Sequence, residues 1–251
     1  MCKLGRTMTT LLFCGDPHGV FRPMVDAAMR FAPDGIVFLG DLCPTRPLER
    51  ELAPLLEAGV PVAWIPGNHD ADRACWLDRL AHAAGLIVPG DIHGRVVTIA
   101  GVRVAGLGKV FRGRIWHPAV DGGRPRFPSR ADLVAALPPH QRWRQGVPLR
   151  HHGTLFHEDA DALRREKADV LVMHEAPSTH PCGFSYLDAL ATDLGVRAVF
   201  HGHHHLHYAD TLPGGIRVHG VGLRGLTDLD GAVVLEGEAD TRRRTSTWTY
   251  R

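Results

Sequence analysis

The fold of this 251-residue chain is decided by the stretch Leu11-Leu12-Phe13-Cys14-Gly15-Asp16-Pro17-His18-Gly19. Its first four residues are apolar and end at a glycine, which predicts a short buried strand. Asp16 and His18 follow as residues i and i+2 of an extended chain, so their side chains lie on one side, with Cα atoms about 6–7 Å apart. We therefore interpret the stretch as a strand that ends in two potential ligands of one metal ion.

Four more polar segments follow apolar, strand-like runs. They are Gly40-Asp41, Gly67-Asn68-His69-Asp70, His174-Glu175 and Gly202-His203-His204-His205. Carboxylates, imidazoles and an amide are ligands that suit divalent first-row metals. Each segment alone has an ordinary explanation, such as a turn, a helix cap or a buried histidine. Together they predict a metal centre, and the i, i+2 histidine pair after a glycine is the strongest single indication.

Strand and helix patterns alternate between these segments. The predicted strands cover 10–14, 35–39, 60–65, 170–173 and 196–200, and the predicted helices cover 22–31, 48–58, 72–84, 159–167 and 186–194. This alternation predicts an α/β architecture with parallel strands, in which ligands bind beyond the carboxyl ends of the strands. A hairpin over 96–105 and strands at 216–221 and 232–236 predict a second sheet. No repeat or linker divides the chain, so we expect one domain over residues 1–251.

Composition excludes several classes of protein. The net charge is only +2 with histidine neutral, which gives no global field for nucleic acid or membrane binding. No run reaches the ~18–20 apolar residues of a membrane span, and the first apolar run is too short for a signal peptide. The five scattered cysteines cannot form a fully paired disulfide framework. These features predict a cytoplasmic protein.

Residues 109–152 form a basic, proline-rich insert. It contains nine Lys or Arg residues but two acidic ones, with aromatic residues between the charges. Apart from a helix predicted at 131–137 it lacks periodicity, and such long loops are lids, binding loops or disordered inserts. Two interpretations stay open, a lid over the metal-binding edge and a solvated loop. A lid would bind phosphate through Arg112, Arg114, Arg126 or Arg144 and stack a base on Trp116 or Trp143.

The order D-x-H, G-D, G-N-H-D, lone His and G-H-x-H resembles the calcineurin-like metallophosphoesterase superfamily. The resemblance extends over residues 15–205. It implies the metallo-dependent phosphatase fold, a four-layer α/β/β/α sandwich of two mixed β-sheets flanked by helices. It also implies two divalent metal ions, of which Mn²⁺ or Fe is favoured and Zn²⁺, Ni²⁺ or Co²⁺ is compatible.

The resemblance assigns a role to each motif position. One metal would be held by Asp16, His18 and His205, with Asp41 bridging to a second metal held also by Asn68, His174 and His203. His69 would act at the leaving group as a general acid or an electrostatic stabiliser. His201-Gly202-His203 offers another H-x-H register, but the family's glycine precedes its first ligand. That order favours His203 and His205, and leaves His201 and His204 for support or substrate contact.

The implied reaction is in-line attack on phosphorus by a hydroxide that bridges the two metals. Pro44 stands where phosphoprotein phosphatases carry the Asp that orients the active-site histidine, so the pattern is closer to bacterial phosphodiesterase-type members. We therefore expect a phosphodiesterase that acts on a small or nucleotide-like phosphoester. One alternative is a nuclease that acts on single-stranded nucleic acid, which the low net charge disfavours. The other is a non-catalytic scaffold of the same fold, which the complete set of ligand positions disfavours.

Overall fold

Two six-stranded β-sheets pack against each other in the computed structural model, which describes residues 9–240. The first sheet has the spatial order β12 (Val233–Leu235), β11 (Leu226–Asp228), β1 (Leu11–Cys14), β2 (Gly35–Phe38), β3 (Val62–Trp64) and β4 (Pro89–Asp91). The second has the order β5 (Arg95–Ile99), β6 (Val102–Leu107), β7 (Val170–Met173), β8 (Ala198–His201), β10 (Arg217–Gly220) and β9 (Tyr208–Thr211).

Both sheets are mixed. Strands β1 to β4 are parallel, and β11 and β12 extend that sheet with antiparallel pairing. Strands β6, β7, β8 and β10 are parallel, and the antiparallel strands β5 and β9 form the two edges of the second sheet. The parallel strands of each sheet therefore place several carboxyl ends at one edge.

The first strand shows how the layers are built. Successive side chains of a strand point to opposite faces. Leu11 and Phe13 belong to the core between the sheets, where the Phe13 ring stacks on Phe200 with centroids 3.7 Å apart. Leu12 and Cys14 face the helices on the other side. A strand buried on both faces is continuously apolar, as the sequence is here.

Helices cover the outer face of each sheet. The first sheet is covered by α1 (Arg22–Phe31), α2 (Leu48–Glu51), α3 (Ala53–Glu57) and α4 (Ala74–Ala83). The second is covered by α5 (Arg130–Ala136), α6 (His157–Arg164) and α7 (Ser185–Leu194). The result is the predicted α/β/β/α sandwich. Within residues 9–240 no helix is long and apolar enough to cross a membrane.

Two predictions about elements need correction. The helix predicted over 48–58 is two short helices that meet at Leu52, since Pro54 has no N–H to donate and its ring crowds the preceding turn. The strand predicted at 232–236 was assigned to the second sheet, but β12 lies in the first. It follows β11, which pairs with the free edge of β1. An apolar pattern identifies a strand but not the strand with which it pairs.

Candidate metal centre

The carboxyl ends of five strands, taken from both sheets, meet at one edge of the sandwich. Asp16 follows β1, Asp41 follows β2 and Asn68 follows β3. His174 comes directly after β7, and His203 and His205 follow β8. The site therefore depends on the packing of the two sheets.

Six of the predicted ligands form two clusters. In each cluster the potential ligand atoms of three residues lie within 4.8 Å of one another. The first cluster contains Asp16, His18 and His205, and the second contains Asp41, His174 and His203. The seventh predicted ligand, Asn68, places its Oδ1 atom 3.1 Å from Nε2 of His174. All seven side chains are thus brought together.

Asp41, a member of the second cluster, also faces the first. Its Oδ2 atom is 3.8 Å from Nε2 of His18 in the first cluster and 3.4 Å from Nε2 of His174 in the second. A single buried carboxylate that faces both clusters can serve two cations at once.

The ring orientations fit metal binding. His174 donates from Nδ1 to the carbonyl oxygen of Leu39 at 2.7 Å, so Nε2 faces Asp41 and would offer a lone pair once a cation displaces its proton. Nε2 of His18 and Nε2 of His205 approach to 3.1 Å. Imidazole nitrogens and carboxylates that converge in this way form a donor set suited to a divalent first-row cation. The residues present therefore fit the two metals that the resemblance implies.

The backbone at the ligands is strained. Positive φ angles occur at Asp16 (24°), His18 (45°), Asp41 (49°), His203 (66°) and His205 (57°). Residues other than glycine rarely adopt such angles, and each costs on the order of 1–3 kcal/mol. Strain of this kind concentrates at functional sites, where the surrounding fold enforces it.

Two motif glycines make room for the ligands. A Cβ atom on Gly67 would lie 2.1 Å from Oδ1 of Asp41, and one on Gly40 would lie 2.3 Å from Nδ1 of His174. Gly40 also has a φ angle of 107°. The glycines that precede Asp41 and Asn68 are therefore required by close approach and not only by turn formation.

Burial and mutual charge shape the ionisation of the ligands. Burial alone would favour the neutral forms of Asp41 and His174, but each stabilises the charge of the other. The pKa of Asp41 is consequently held well below its usual range, and the pKa of His174 is raised to about 10. Burial lowers the pKa of His18 to about 4. A cation bound at Asp41 would take over from protonated His174 as the positive charge that stabilises the Asp41 carboxylate.

His69 has a carboxylate partner that the sequence motifs did not predict. Its backbone N–H donates to Oδ1 of Asp41 at 2.8 Å, and its Nδ1 atom lies 2.7 Å from Oδ2 of Asp72. Both side chains are about half exposed, at 50% and 54%. The orienting Asp that Pro44 displaces from the second motif thus has a counterpart three residues after His69.

Asp70, the last residue of G-N-H-D, supports the loops. It is buried and accepts hydrogen bonds from the backbone N–H groups of Cys43 at 2.7 Å and Gly67 at 2.8 Å. These bonds join the loop after β2 to the loop after β3, and so keep Asp41 and Asn68 close to each other.

The structure also separates the two possible H-x-H registers. His201 is fully buried, and its Nε2 atom is 2.8 Å from the Tyr208 hydroxyl, away from both clusters. His204 stacks on His180 with ring centroids 3.7 Å apart. A third group, formed by Glu175, His203 and His204, also lies within 4.8 Å and shares His203 with the second cluster.

Part of the basic insert packs into the core. Trp116 is 1% exposed and donates from Nε1 to the carbonyl oxygen of Gly123. Its ring is therefore not available to stack on a base. Arg144 lies over the ring of Trp143 and forms a bidentate pair with Asp78 at 2.5 and 3.0 Å. Neither Arg144 nor Trp116 is presented to the metal edge in the way the sequence suggested.

The end of the insert reaches the site. The turn Leu149–Gly153 packs on the turn His69–Ala71, so closely that a Cβ on Gly153 would lie 2.7 Å from the carbonyl oxygen of Asn68. Arg150, which belongs to no motif, is exposed on this turn.

Arg112 is the predicted phosphate-binding residue that interacts electrostatically with the candidate ligand Asp41. Burial lowers its pKa, and the charges that act on its guanidinium are those of Arg150, Asp72, Glu175 and Asp41. Its Nε atom is buried without a hydrogen-bond partner. Arg114 and Arg126 are exposed, and Arg126 lies over the ring of Phe127.

The fold and the paired clusters of candidate metal ligands define a metal-dependent phosphoester hydrolase. The family model for calcineurin-like phosphoesterases matches residues 9–207, and the chain belongs to this family. An uncharacterized protein of Haemophilus influenzae is 37% identical over 226 residues, which cover 90% of this chain and 96% of the relative.

Two solved structures share the fold. The protein TT1561 of Thermus thermophilus has a TM-score of 0.55 at 19% identity and covers 89% of this chain and 96% of its own. A dimetal phosphatase from Danio rerio has a TM-score of 0.54 at 16% identity, with 91% and 97% coverage. At these identities the likeness shows the architecture alone.

Proposed function

We propose that this chain is a cytoplasmic, dinuclear phosphodiesterase that hydrolyses a small, nucleotide-like phosphoester. The observation that carries the proposal is the position of Asp41, whose carboxylate faces both ligand clusters. Two bound cations, for which we favour Mn²⁺ or Fe, would supply Lewis-acid chemistry that activates water and neutralises phosphoryl charge. The four cysteines in the described part of the chain form no disulfide, which agrees with a reducing compartment.

His69 is proposed to act on the leaving group. Its Nδ1 atom faces Asp72, so Nε2 is the atom that can donate a proton to a departing alkoxide. The backbone bond from His69 to Asp41 ties this imidazole to the carboxylate between the clusters. The arrangement separates the two tasks of the site, with phosphorus held at the clusters and the leaving group at His69.

Arg112 and Arg150 are the proposed contacts for the rest of the substrate. The two guanidinium groups act on each other electrostatically, Arg112 also interacts with the charges of Asp72 and Asp41, and the turn of Arg150 packs on the turn of His69. Two like charges placed together are stabilised by a bound anion. This arrangement supports the lid interpretation of the insert, with the phosphate contacts at its two ends.

A nuclease is the second candidate, because Arg114, Arg126 and Arg150 are exposed on the insert. The two functions differ in their dependence on salt. Binding to a nucleic-acid backbone weakens steeply as salt rises, whereas hydrolysis of a small diester does not.

The test is a screen of metals against substrates with the purified full-length chain. Mn²⁺, Fe²⁺, Zn²⁺, Ni²⁺ and Mg²⁺ are each combined with aryl phosphomonoesters, aryl phosphodiesters, cyclic nucleotides, dinucleotides and single-stranded DNA or RNA. We expect the highest kcat/KM on a diester or nucleotide. Preference for single strands with steep salt dependence would favour the nuclease, and no turnover with any metal would contradict both.

A further inference from the structure

Asp240 contacts a predicted metal ligand from far along the chain. Its Oδ2 atom lies 2.6 Å from Nδ1 of His205, which is 35 residues earlier in the sequence. Both side chains are only 12% exposed. Asp240 also lies outside residues 9–207, the region that the family model matches. No motif therefore points to this residue.

The segment that carries Asp240 is fixed to the loop after β10. Glu238 donates its backbone N–H to the carbonyl oxygen of Leu223 at 2.8 Å, and its carboxylate accepts from Nη1 of Arg224 at 2.5 Å. A Cβ atom on Gly237 would lie 2.9 Å from the Cα atom of Gly222, so the two backbone segments are in close contact there. The chain just before Asp240 is thus held at Gly237 and Glu238.

That loop is in turn bonded to the first ligand loop. Arg224 donates its backbone N–H to the carbonyl oxygen of Gly15 at 3.0 Å, and Gly15 donates to Gly225 at 3.1 Å. The Arg224 side chain also donates from Nε to the carbonyl oxygen of Pro17 at 3.2 Å. A continuous set of bonds therefore connects Asp240 with the segment that contains Asp16 and His18.

We propose that Asp240 is a positioning residue that prepares His205 to bind metal. A carboxylate at Nδ1 holds the proton there, so Nε2 keeps its lone pair and faces the cluster with Asp16 and His18. Such partners fix the ring orientation, raise the basicity of the imidazole, and commonly account for 10–100-fold in metal affinity. The proposal rests on the proposed function only in that it requires a metal at the first cluster.

The test measures Mn²⁺ affinity directly, in the absence of substrate. Competition with a fluorescent chelator gives the dissociation constants of the two sites in wild type, Asp240→Ala and Asp240→Asn. We expect Asp240→Ala to weaken one site about 10–100-fold and to leave the other within a factor of about two. Asp240→Asn, whose amide oxygen still accepts the Nδ1 proton, should have an affinity at the weakened site between those of wild type and Asp240→Ala. Glu236→Gln is the matched control, because it removes a charge from an exposed residue of the same segment.

Wild-type affinity for both sites in Asp240→Ala would overturn the proposal, as would an equal loss at both sites, which indicates general misfolding. If Asp240→Ala does not fold, the wild-type protein and Asp240→Asn still decide the matter by long-range ¹H–¹⁵N NMR. The proposal requires the Nδ1–H tautomer of His205 in the wild type. If wild type binds two Mn²⁺ ions without turnover on any phosphoester, the proposed function fails while the role of Asp240 is still measured by affinity.

Discussion

At the scale of single residues, the position of Asp41 depends on Gly67, because the backbone at residue 67 leaves no room for a Cβ atom. A Cβ atom added to Gly67 would lie 2.1 Å from Oδ1 of Asp41 and 2.3 Å from the backbone nitrogen of Asp41. Asp41 itself has a strained backbone, so it cannot move freely to relieve the contact. The glycine therefore determines the position of the carboxylate that faces both clusters.

Gly67→Ala should displace Asp41. We expect a loss of metal affinity of about 10-fold or more and a decrease of about 1–3 kcal/mol in the free energy of unfolding. Metal titration and urea unfolding measure the two effects. Gly113→Ala is the control, since a Cβ there meets nothing within 4 Å. Equal behaviour of the two variants would show that the contact at Asp41 is unimportant.

Asp72→Asn should impair only the departure of the leaving group. The 2.7 Å contact to His69 is lost or weakened, while the ligand clusters do not include Asp72. Because general acid catalysis contributes about 10²–10⁴-fold, we expect kcat to fall about 10-fold or more for an alkyl diester. A p-nitrophenyl ester, which leaves without protonation, should change little, and metal affinity should not change. A uniform decrease for both esters would remove Asp72 from this role.

Sequence motifs could predict which seven side chains meet at this edge, because those side chains belong to the motif residues themselves. The structure brings these side chains together, and their metal binding stays a prediction. Asp72 and Asp240 were missed for different reasons. The first depends on the geometry of a short turn after Asn68, and the second on a contact with His205 that is made 35 residues further along the chain, beyond the last motif. Neither constraint leaves a local pattern in the sequence.

At the scale of elements, the insert is held by one buried ionic group. Arg130, at the start of α5, donates to both carboxylate oxygens of Asp159 at 2.8 and 2.9 Å. Asp159 lies on α6, is 8% exposed, and is also 3.2 Å from Nε2 of His93. Burial opposes its ionisation, but His93, Lys109 and Arg130 hold the pKa of Asp159 well below its usual range.

Asp159→Asn should therefore destabilise the fold. Breaking a buried ion pair by removing one partner costs about 3–5 kcal/mol. Because the folded pKa lies below the unfolded value of about 3.9, the contribution is complete above that pH and is lost as the pH falls toward the folded pKa. The difference in urea stability between wild type and variant should be constant from about pH 5 to 8 and shrink below about pH 4. Asp161→Asn, an exposed neighbour on α6, is the control. A small difference at neutral pH would contradict the assignment.

The elements were predictable where an apolar run or a helical spacing of apolar residues was uninterrupted. The first helix and the strand at Val170–Met173 have the predicted bounds. The insert could not be resolved, because Trp116 and Val147 enter the core through isolated contacts and not through a repeating pattern. The strand predicted at 232–236 lies in the first sheet and not in the second, because β11 pairs with the free edge of β1, and that edge is visible only in the folded chain.

At the scale of the whole molecule, the ligands join the two sheets. Asp16, Asp41 and Asn68 come from the first sheet, and His174, His203 and His205 come from the second. A cation bound between them stabilises the packing of one sheet on the other. Ligands that bind only the native state stabilise it by about 2.7 kcal/mol at one hundred times Kd.

Metal removal should consequently lower the melting temperature. For a chain of this size, one site saturated at about one hundred times Kd corresponds to roughly 5–11 °C in Tm. Differential scanning calorimetry of the metal-loaded and EDTA-dialysed protein measures the change, and addition of Mn²⁺ should restore it. An unchanged Tm would mean that no cation connects the sheets.

The most direct test of the dinuclear centre is the number of metal ions bound per chain in wild type and Asp41→Asn, measured by plasma mass spectrometry after equilibrium dialysis against Mn²⁺. Because Asp41 faces both clusters, we expect two ions in wild type and loss of at least one in the variant, with aryl diester hydrolysis lost in parallel. Two ions and full activity in Asp41→Asn, or fewer than two in wild type at saturating Mn²⁺, would contradict the account.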